Sequence, residues 1–190
     1  YHDIGKMKKS EYFIENQFGV DNKHNKITAT MSSRIIRAHV KEGLKLAKEY
    51  GLPKVVSDFI PMHHGTTRVE YFYRMALQQA EKDKSKVEES AFRYPGPKPN
   101  TKETGILMLC EAIEAAVRSI KEPDIRKIEA MIDKIIAQRI EDGQLSDCPL
   151  TLDELKKIKG KVDGTSGMLP VLRGIYHIRL EYPDDINTKQ

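Results

Sequence analysis

The sequence has few of the features that mark membrane-spanning or secreted proteins. No apolar run approaches the roughly 20 residues needed to cross a bilayer, and the N-terminus lacks the pattern of a secretory signal. Its only two cysteines, Cys110 and Cys148, indicate a reducing compartment rather than a disulfide framework. The sequence also lacks an internal repeat, a glycine-rich phosphate loop and a heptad pattern. It has no initiator methionine, so we expect it to be a piece of a longer protein.

Neither sign of charge dominates. There are 32 basic and 28 acidic residues, which give a formal net charge of +4. This small excess suits an anionic small ligand but falls short of the basic surface of a domain that binds duplex nucleic acid. The 190 residues, of which 39% are hydrophobic and 32% charged, are enough for one soluble domain with a real core.

Hydrophobic periodicity predicts an all-α fold, because apolar residues recur at helical spacing and no convincing run of strands is present. The first helices are expected at about Thr28–Tyr50, Pro53–His64 and Thr66–Ala80. Three prolines and a glycine between residues 92 and 100 exclude regular structure there. The result is a helical bundle with one proline-rich loop.

The second half also contains helix start signals. Asn100 and Glu103 have the spacing of a capping box, and so do Thr151 and Glu154. The stripe of the first of these helices is predicted to bury Ile106, Leu109, Cys110, Ile113, Val117 and Ile120. Another helix starts at Pro123-Asp124, and the last is interrupted between residues 160 and 170 and is expected to resume at Val171.

The first six residues, Tyr-His-Asp-Ile-Gly-Lys, contain candidate metal ligands. His2 offers a neutral nitrogen and Asp3 an anionic carboxylate, whose two oxygens could bridge two ions. We read residues 1–7 as the end of a helix, in which Lys6 would follow His2 by one turn and face the same site. Alone, such a pair is common in unrelated proteins, so the case depends on other residues.

Further histidines and an acid strengthen the case for a metal centre. His39 lies on the inner stripe of its helix, where a core histidine bonded to a backbone carbonyl is the simplest alternative. His63 and His64 end the next helix and would be costly to bury without partners. Glu111 is at the margin of a buried helix face, where a carboxylate needs a metal, a cation or hydrogen bonds; the alternative there is a surface face carrying a Glu114–Arg118 pair.

Two metal ions about 3.5–4 Å apart can share a hydroxide, lower its pKa and hold a phosphate oxygen. Asp3 would bridge them, and Lys6 would neutralise the charge that develops on phosphate. Arg93 and Tyr94 of the proline-rich loop are candidate contacts for a phosphate or a base, as is Tyr73. The alternative for this loop is a rigid connector.

These residues carry a family resemblance. The opening six residues, His39, His63-His64-Gly65-Thr66 and Glu111 resemble the HD-domain metal-dependent phosphohydrolase superfamily. Four further motifs narrow it: Phe13–Gln17, Arg93–Pro97, Glu114–Arg118 and Ile175–His177. Together they are similar to the cytoplasmic HD domain of seven-transmembrane HD receptors, which are PgpH-type cyclic di-AMP phosphodiesterases.

The resemblance implies an HD-domain bundle on the cytoplasmic face of the bacterial inner membrane, attached through segments absent from this sequence. It implies hydrolysis of cyclic di-AMP to pApA with two iron or manganese ions. The family's motifs assign the ligands of the first ion to His2, Asp3 and Glu111. They assign those of the second ion to Asp3, His39, His63 and His64.

The sequence departs from the family pattern at two points that matter for the site. The family has another metal-binding histidine on the helix before the His-Asp pair, so we expect residues 1–190 to form one HD domain without its N-terminal helix. The family usually has aspartate where Glu111 stands, and the extra methylene changes the reach of that ligand. Two other functions therefore stay open: a nucleotide-binding signalling domain with weak or no catalysis, and an HD phosphohydrolase acting on another nucleotide.

Overall fold

The computed structural model describes residues 1–17, 22–80 and 86–180. Within these ranges the chain forms helices and turns without any strand, which confirms the all-α prediction. The chain forms two compact units, Tyr1–Pro99 and Asn100–Gln190. The single HD domain inferred from the sequence stays a prediction. Among the described residues, no helix has the length and apolar character to cross a membrane.

The described residues of the first unit form short 3-10 helices and four α-helices. The 3-10 helices are Ile4–Tyr12, Ile14–Asn16, Lys23–Lys26 and Glu89–Phe92. The α-helices are α1 (Ala29–Glu49), α2 (Lys54–Ser57), α3 (Phe59–Met62) and α4 (Glu70–Gln79).

The start of the chain is a 3-10 helix rather than the end of the α-helix that we predicted over residues 1–7. The backbone N–H of Lys6 bonds to the carbonyl of Asp3 at 2.9 Å, the i+3 spacing of this tighter helix. Side chains three residues apart eclipse one another in a 3-10 helix. Asp3 and Lys6 are therefore neighbours.

α1 closely matches its predicted bounds. The hydroxyl of Thr28 accepts a hydrogen bond from the N–H of Met31 and caps the start of the helix. Gly51 follows the end of the helix with φ +64°, the left-handed conformation that favours glycine. His39 lies on the buried face, as predicted.

The predictions for the next two helices are wrong in part. The stretch expected as one helix over Pro53–His64 is split at Asp58 into α2 and α3. α4 begins at Glu70 instead of Thr66, because the preceding backbone pairs with the proline-rich loop. The N–H of Val69 bonds to the carbonyl of Phe92 at 2.8 Å, and the N–H of Tyr94 bonds to the carbonyl of Thr67 at 2.9 Å.

Two glycines allow the elements of the first unit to approach closely. A Cβ on Gly5 would lie 1.9 Å from the carbonyl oxygen of His39 and 2.5 Å from the backbone nitrogen of Gly43. A Cβ on Gly43 would lie 2.9 Å from Cγ2 of Ile60, which belongs to α3. Hydrogen in place of a side chain at these positions lets the first 3-10 helix and α3 pack against α1.

The second unit consists of α5 (Lys102–Arg118), α6 (Ile125–Glu141), α7 (Leu152–Lys159) and α8 (Met168–Leu180). Its core is formed by buried aliphatic side chains from all four helices, among them Ile113, Ile132, Leu155 and Leu169. α8 starts three residues earlier than predicted. Pro170 lies in its first turn, where the missing N–H of proline costs no helical hydrogen bond.

The start of α5 corrects two predictions. The capping box is formed by Thr101 and Thr104, whose hydroxyls satisfy backbone groups at the helix start, and not by Asn100 and Glu103. The buried face includes Met108 and also Gly105, over which Cys148 and Leu150 pack.

Ile106 is consequently 39% exposed, and Cys110 is only half-buried. The other four residues of the predicted stripe lie in the core or pack against it. The capping box of Thr151 and Glu154 at the start of α7 is confirmed.

We expect Gly5→Ala to destabilise the protein, because its methyl group would overlap the backbone of α1. Overpacking of this kind typically costs about 1–3 kcal/mol, measurable as a fall in the free energy of unfolding in urea. Gly174→Ala is the matched control, since Gly174 is an exposed residue of α8 and a Cβ there would have no neighbouring atom within 4 Å. That variant is expected to be unchanged or slightly more stable. Equal stability of the two variants would contradict the close approach.

Candidate metal centre

Three potential ligand atoms from three elements of the first unit meet in a small triangle. Nε2 of His39 lies 3.3 Å from Nε2 of His63. Oδ1 of Asp3 lies 3.4 Å from the former nitrogen and 3.5 Å from the latter. Two ligands about 2.1 Å from an ion at tetrahedral angles are separated by about 3.4 Å. The triangle therefore has the dimensions of a metal coordination sphere.

The protonation of the two imidazoles follows from their other nitrogens. Nδ1 of His39 lies 2.6 Å from the carbonyl oxygen of Ile36, and Nδ1 of His63 lies 3.0 Å from that of Phe59. A carbonyl only accepts hydrogen bonds, so each Nδ1 carries the proton and each Nε2 presents a lone pair. Metal-binding histidines are usually oriented in this way by a hydrogen bond from the second ring nitrogen.

The two histidines of the triangle are buried, and their Nε2 atoms face a carboxylate oxygen. His39 and His63 are 2% and 1% exposed, and burial lowers the pKa of His39 to about 4. The ring of His39 is thus neutral near pH 7, and the Nε2 atoms of both rings face the anionic Asp3. Oδ1 of Asp3 is buried and accepts no hydrogen bond from the residues that the structure describes. A metal ion would satisfy all three atoms, so the donor set fits a first-row metal.

His64 extends the cluster. Its ligand atom lies within 4.8 Å of those of Asp3, His39 and His63. Burial lowers its pKa well below the usual value, and the nearby imidazoles of His63 and His39 lower it further. The ring of Tyr94 stacks on it, with ring centres 4.1 Å apart. Tyr94 is only 7% exposed, which leaves its ring little surface on which to stack an adenine.

The other oxygen of Asp3 faces His2 and Lys6. Oδ2 lies 2.8 Å from Nζ of Lys6 and 3.4 Å from Nε2 of His2. Burial raises the pKa of Asp3, but the interactions with His2, His63 and Lys6 outweigh burial and hold it well below its usual range. Asp3 is therefore an anion with one oxygen directed to each side, the arrangement that a bridging ligand requires.

Two predicted substrate contacts are engaged elsewhere in the first unit. Arg93 donates from Nε to Glu89 at 2.7 Å and from a terminal nitrogen to the carbonyl of Thr66 at 2.9 Å. The ring of Tyr73 carries the guanidinium of Arg68 on its face, 4.0 Å from the ring centre. In the described structure Arg93 thus joins the proline-rich loop to the turn before α4, and Tyr73 packs against Arg68 and against the ring of Phe92.

Glu111 belongs to the second unit and lies on α5, where it is half-buried. Burial lowers the pKa of Arg139 on α6, whereas the charges of Asp142 and Glu111 raise it. Glu111 thus lies in the electrostatic field of a largely buried guanidinium. Its role as a metal ligand stays a prediction.

The sequence pattern missed three residues that shape this centre. Gly5 and Gly43 allow the ligand-bearing elements to meet, and Glu15 bonds to Lys6 at 2.7 Å. The Gly5–Gly43 contact is invisible to periodicity because it joins positions far apart in sequence. Glu15 belongs to one of the motifs that carried the family resemblance, although nothing in that motif alone indicated its partner.

The geometry defines a helical domain with a histidine–aspartate cluster able to bind a metal ion. A sequence profile described as "HD domain" matches residues 1–116, more than half of the chain. The chain belongs to the HD domain family. This confirms the family predicted from the His-Asp pair and the later histidines.

Named relatives refine the comparison. The chain is 40% identical over 184 residues to "Cyclic-di-AMP phosphodiesterase PgpH" of Bacillus subtilis and 43% identical over 185 residues to the protein of the same name from Listeria monocytogenes. Each alignment covers 97% of this chain and 24% of the relative. The chain therefore spans about a quarter of the length of these curated relatives.

Two crystal structures of the L. monocytogenes phosphodiesterase PgpH HD domain have the same fold. The first has a TM-score of 0.80 at 41% identity and covers 93% of this chain and 78% of the crystallised one. The second, a complex with cyclic di-AMP, has a TM-score of 0.76 at 38% identity and covers 96% and 78%. The HD-domain bundle expected from the sequence is thereby confirmed.

We expect His63→Ala to weaken the binding of Mn²⁺ by more than about tenfold, because it removes one corner of the ligand triangle. Isothermal titration calorimetry of protein stripped of metal measures this change. His24→Ala is the control: His24 is also buried, but its Nε2 bonds to the carbonyl of Tyr12 at 2.9 Å. Equal Mn²⁺ affinities for the two variants would contradict the assigned centre.

The buried His39 predicts an acid-sensitive stability in metal-free protein. Its pKa is about 4 in the folded state against 6.5 when unfolded, so only the unfolded state gains a proton as the pH falls between these values. The contribution of His39 to the free energy of unfolding is complete above pH 6.5 and is lower by about 2 kcal/mol at pH 5.

Urea unfolding in chelator at pH 7 and pH 5 measures this loss. His39→Gln, which cannot titrate, is expected to lose less stability between the two pH values than the unaltered protein. An identical loss in both proteins would show that His39 does not carry the effect.

Proposed function

We propose that this chain is the catalytic domain of a metal-dependent phosphodiesterase that hydrolyses cyclic di-AMP to pApA. The observation that carries the proposal is the triangle of Asp3, His39 and His63, whose spacing and protonation suit a metal ion. Two relatives are named cyclic-di-AMP phosphodiesterases, and a related HD domain has been crystallised with cyclic di-AMP. The chain covers only a quarter of the relatives' length, so activity and substrate are inferences for this protein.

We assign the ligands to two ions, for which the family resemblance implies iron or manganese; mixed nitrogen and oxygen donors suit iron, manganese and zinc alike. His39, His63, His64 and Asp3 would hold one ion, as their grouping in the first unit supports. His2, Asp3 and Glu111 would hold the other, on the strength of the family resemblance. Asp3 is common to both sets, consistent with the opposite directions of its two oxygens.

When bound, two divalent ions supply Lewis acidity that activates water and stabilises negative charge on a phosphate. Asp3 keeps its negative charge at working pH because its pKa is held low. His39 and His63 keep their lone pairs directed inward through their bonds to backbone carbonyls. Lys6 holds an ammonium beside Asp3, where it would stabilise charge that develops on the transferring phosphate.

The three side chains predicted to contact the substrate are Arg93, Tyr94 and Tyr73. Their observed contacts leave them unequal access to a substrate. Arg93 would have to exchange its bond to Glu89 for a phosphate. Tyr94 is better placed to support His64 than to stack a base, because its ring already covers that imidazole. Tyr73 could offer only the ring surface that Arg68 leaves exposed.

We also infer that the domain works within a longer protein attached to the bacterial inner membrane, with this domain on the cytoplasmic side. The inference rests on the family resemblance and on relatives about four times the length of this chain. Fractionation of the full-length protein tests it: recovery with the membranes is expected, and recovery in the soluble fraction would contradict it.

Incubation of the chain, extended upstream and loaded with Mn²⁺, with cyclic di-AMP is expected to yield pApA in a chromatographic assay. Glu111→Ala should lower kcat/KM by more than about tenfold if it removes a ligand. Glu111→Asp, which restores the acid usual in the family, should retain activity. His24→Ala is the control and should behave as the unaltered protein.

The other outcomes separate the alternative functions. Tight binding of intact cyclic di-AMP without product would support a signalling domain, most clearly if Glu111→Asp gained activity. Faster hydrolysis of cyclic di-GMP or of a linear dinucleotide would support a phosphohydrolase acting on another nucleotide. Either result would overturn the proposed reaction.

A further inference from the structure

The ammonium of Lys6 is held between two carboxylates. Its Nζ lies 2.8 Å from Oδ2 of Asp3 and 2.7 Å from Oε1 of Glu15. The Lys6 side chain is 22% exposed, so this pairing is more sheltered than most surface ion pairs. An ammonium has three N–H donors, of which two point to Asp3 and Glu15. Among the residues that the structure describes, the third donor has no acceptor, and it is left for a further one.

The segment that carries Glu15 also restrains Lys6 in a second way. The ring of Phe13 is buried and lies 5.3 Å from Nζ of Lys6, within the range of a cation–π contact. The same ring meets His39 edge-on, with ring centres 5.8 Å apart. Phe13 thus links the position of the ammonium to that of a proposed metal ligand.

The backbone of this segment is fixed by its own side chains. The amide of Asn16 donates to the carbonyl of Ser10, and the amide of Gln17 donates to the carbonyl of Glu11, both at 3.2 Å. These bonds hold the turn after the first 3-10 helix. Two side chains of the run from Phe13 to Gln17, those of Phe13 and Glu15, therefore contact Lys6. Two others, those of Asn16 and Gln17, hold the run in place.

A second anchor is needed because lysine is flexible. Its side chain has four rotatable bonds, and a single ion pair with Asp3 leaves many positions open to the ammonium. Moreover, Asp3 is the proposed bridging ligand, so its oxygen would be shared between Lys6 and an ion. Glu15 supplies a carboxylate that is assigned to no ion and pairs with Lys6 at 2.7 Å.

We propose that Glu15 is a positioning residue that, through Lys6, sets the rate of phosphodiester cleavage. The inference rests on the proposed function for its catalytic consequence. Glu15 fixes the ammonium beside Asp3 with one donor directed to the phosphate. Since this interaction strengthens as charge develops in the transition state, loss of Glu15 lowers kcat more than it raises KM.

Glu15→Gln is the test variant, because the amide keeps the shape of the side chain and removes its charge. Glu11→Gln is the matched control: the same change four residues earlier, at an exposed side chain that pairs only with Lys23 at 3.5 Å among the described residues. Misplacement of a catalytic group can cost about 100-fold. We expect a fall in kcat of about 10-fold or more for Glu15→Gln and no change for Glu11→Gln.

A double-mutant cycle shows whether Glu15 acts through Lys6. In a Lys6→Met background, adding Glu15→Gln is expected to change kcat by less than about twofold, since the group that it positions is gone. An equal loss in both backgrounds would show that Glu15 acts by another route. No loss in the native background would also overturn the proposal.

A second readout is independent of activity and of metal. Near neutral pH, lysine ammonium groups give ¹H–¹⁵N correlation signals in NMR when hydrogen bonds slow their exchange with water. In metal-free protein we expect a Lys6 signal, assigned by its loss in Lys6→Met, that persists in Glu11→Gln and disappears in Glu15→Gln. Persistence of the signal in Glu15→Gln would overturn the positioning role even if cyclic di-AMP is hydrolysed. If the unaltered protein cleaves no cyclic di-AMP, the proposed function fails, and this experiment still decides whether Glu15 holds Lys6.

Discussion

The first unit depends on an electrostatic constraint at its centre. Two imidazole lone pairs and one carboxylate oxygen, from His39, His63 and Asp3, lie 3.3–3.5 Å apart in a buried space. Three acceptors at such distances repel one another, and burial prevents water from screening the repulsion. The surrounding structure holds them in place through the carbonyls of Ile36 and Phe59 and a charged lysine beside the aspartate. A cation converts the same arrangement from unfavourable to favourable.

Backbone packing brings these atoms together. His39 comes from the middle of α1, His63 follows α3, and Asp3 precedes the first 3-10 helix. The three elements converge where Gly5 leaves room for the backbone of α1 and Gly43 leaves room for Ile60 of α3. The glycines bind nothing themselves, yet a methyl group at Gly5 would displace the segment that carries Asp3. In this unit the requirements of packing and of ligand geometry apply to the same few residues.

The charged side chains beside the ligand triangle form a series of ion pairs. Asp3 shares its oxygens between the histidines and Lys6, and Lys6 shares its donors between Asp3 and Glu15. Farther out, Tyr94 covers His64, and Arg93 joins the proline-rich loop to the turn before α4. Tyr94 and Arg93, which the sequence suggested as substrate contacts, thus have structural partners in the first unit. Their contacts hold the proline-rich loop in place. These contacts are compatible with the rigid connector that was the alternative interpretation of the loop, and its substrate contacts stay a prediction.

The amino-acid sequence by itself determined the all-α class, the extent of α1, the buried side of His39, the capping box of α7 and the HD family. These follow from local periodicity, capping chemistry and motif spacing, which depend on residues close together in the chain. Only the tertiary structure decided that residues 4–12 form a 3-10 helix, that α4 starts at Glu70, and that Glu15 meets Lys6. Each of these depends on a partner distant in sequence or on close backbone packing, and no local pattern encodes the identity of such a partner. The residue types therefore indicated the chemistry, whereas the distances that make the cluster able to bind a metal ion arise from the packing of α1 against its neighbours.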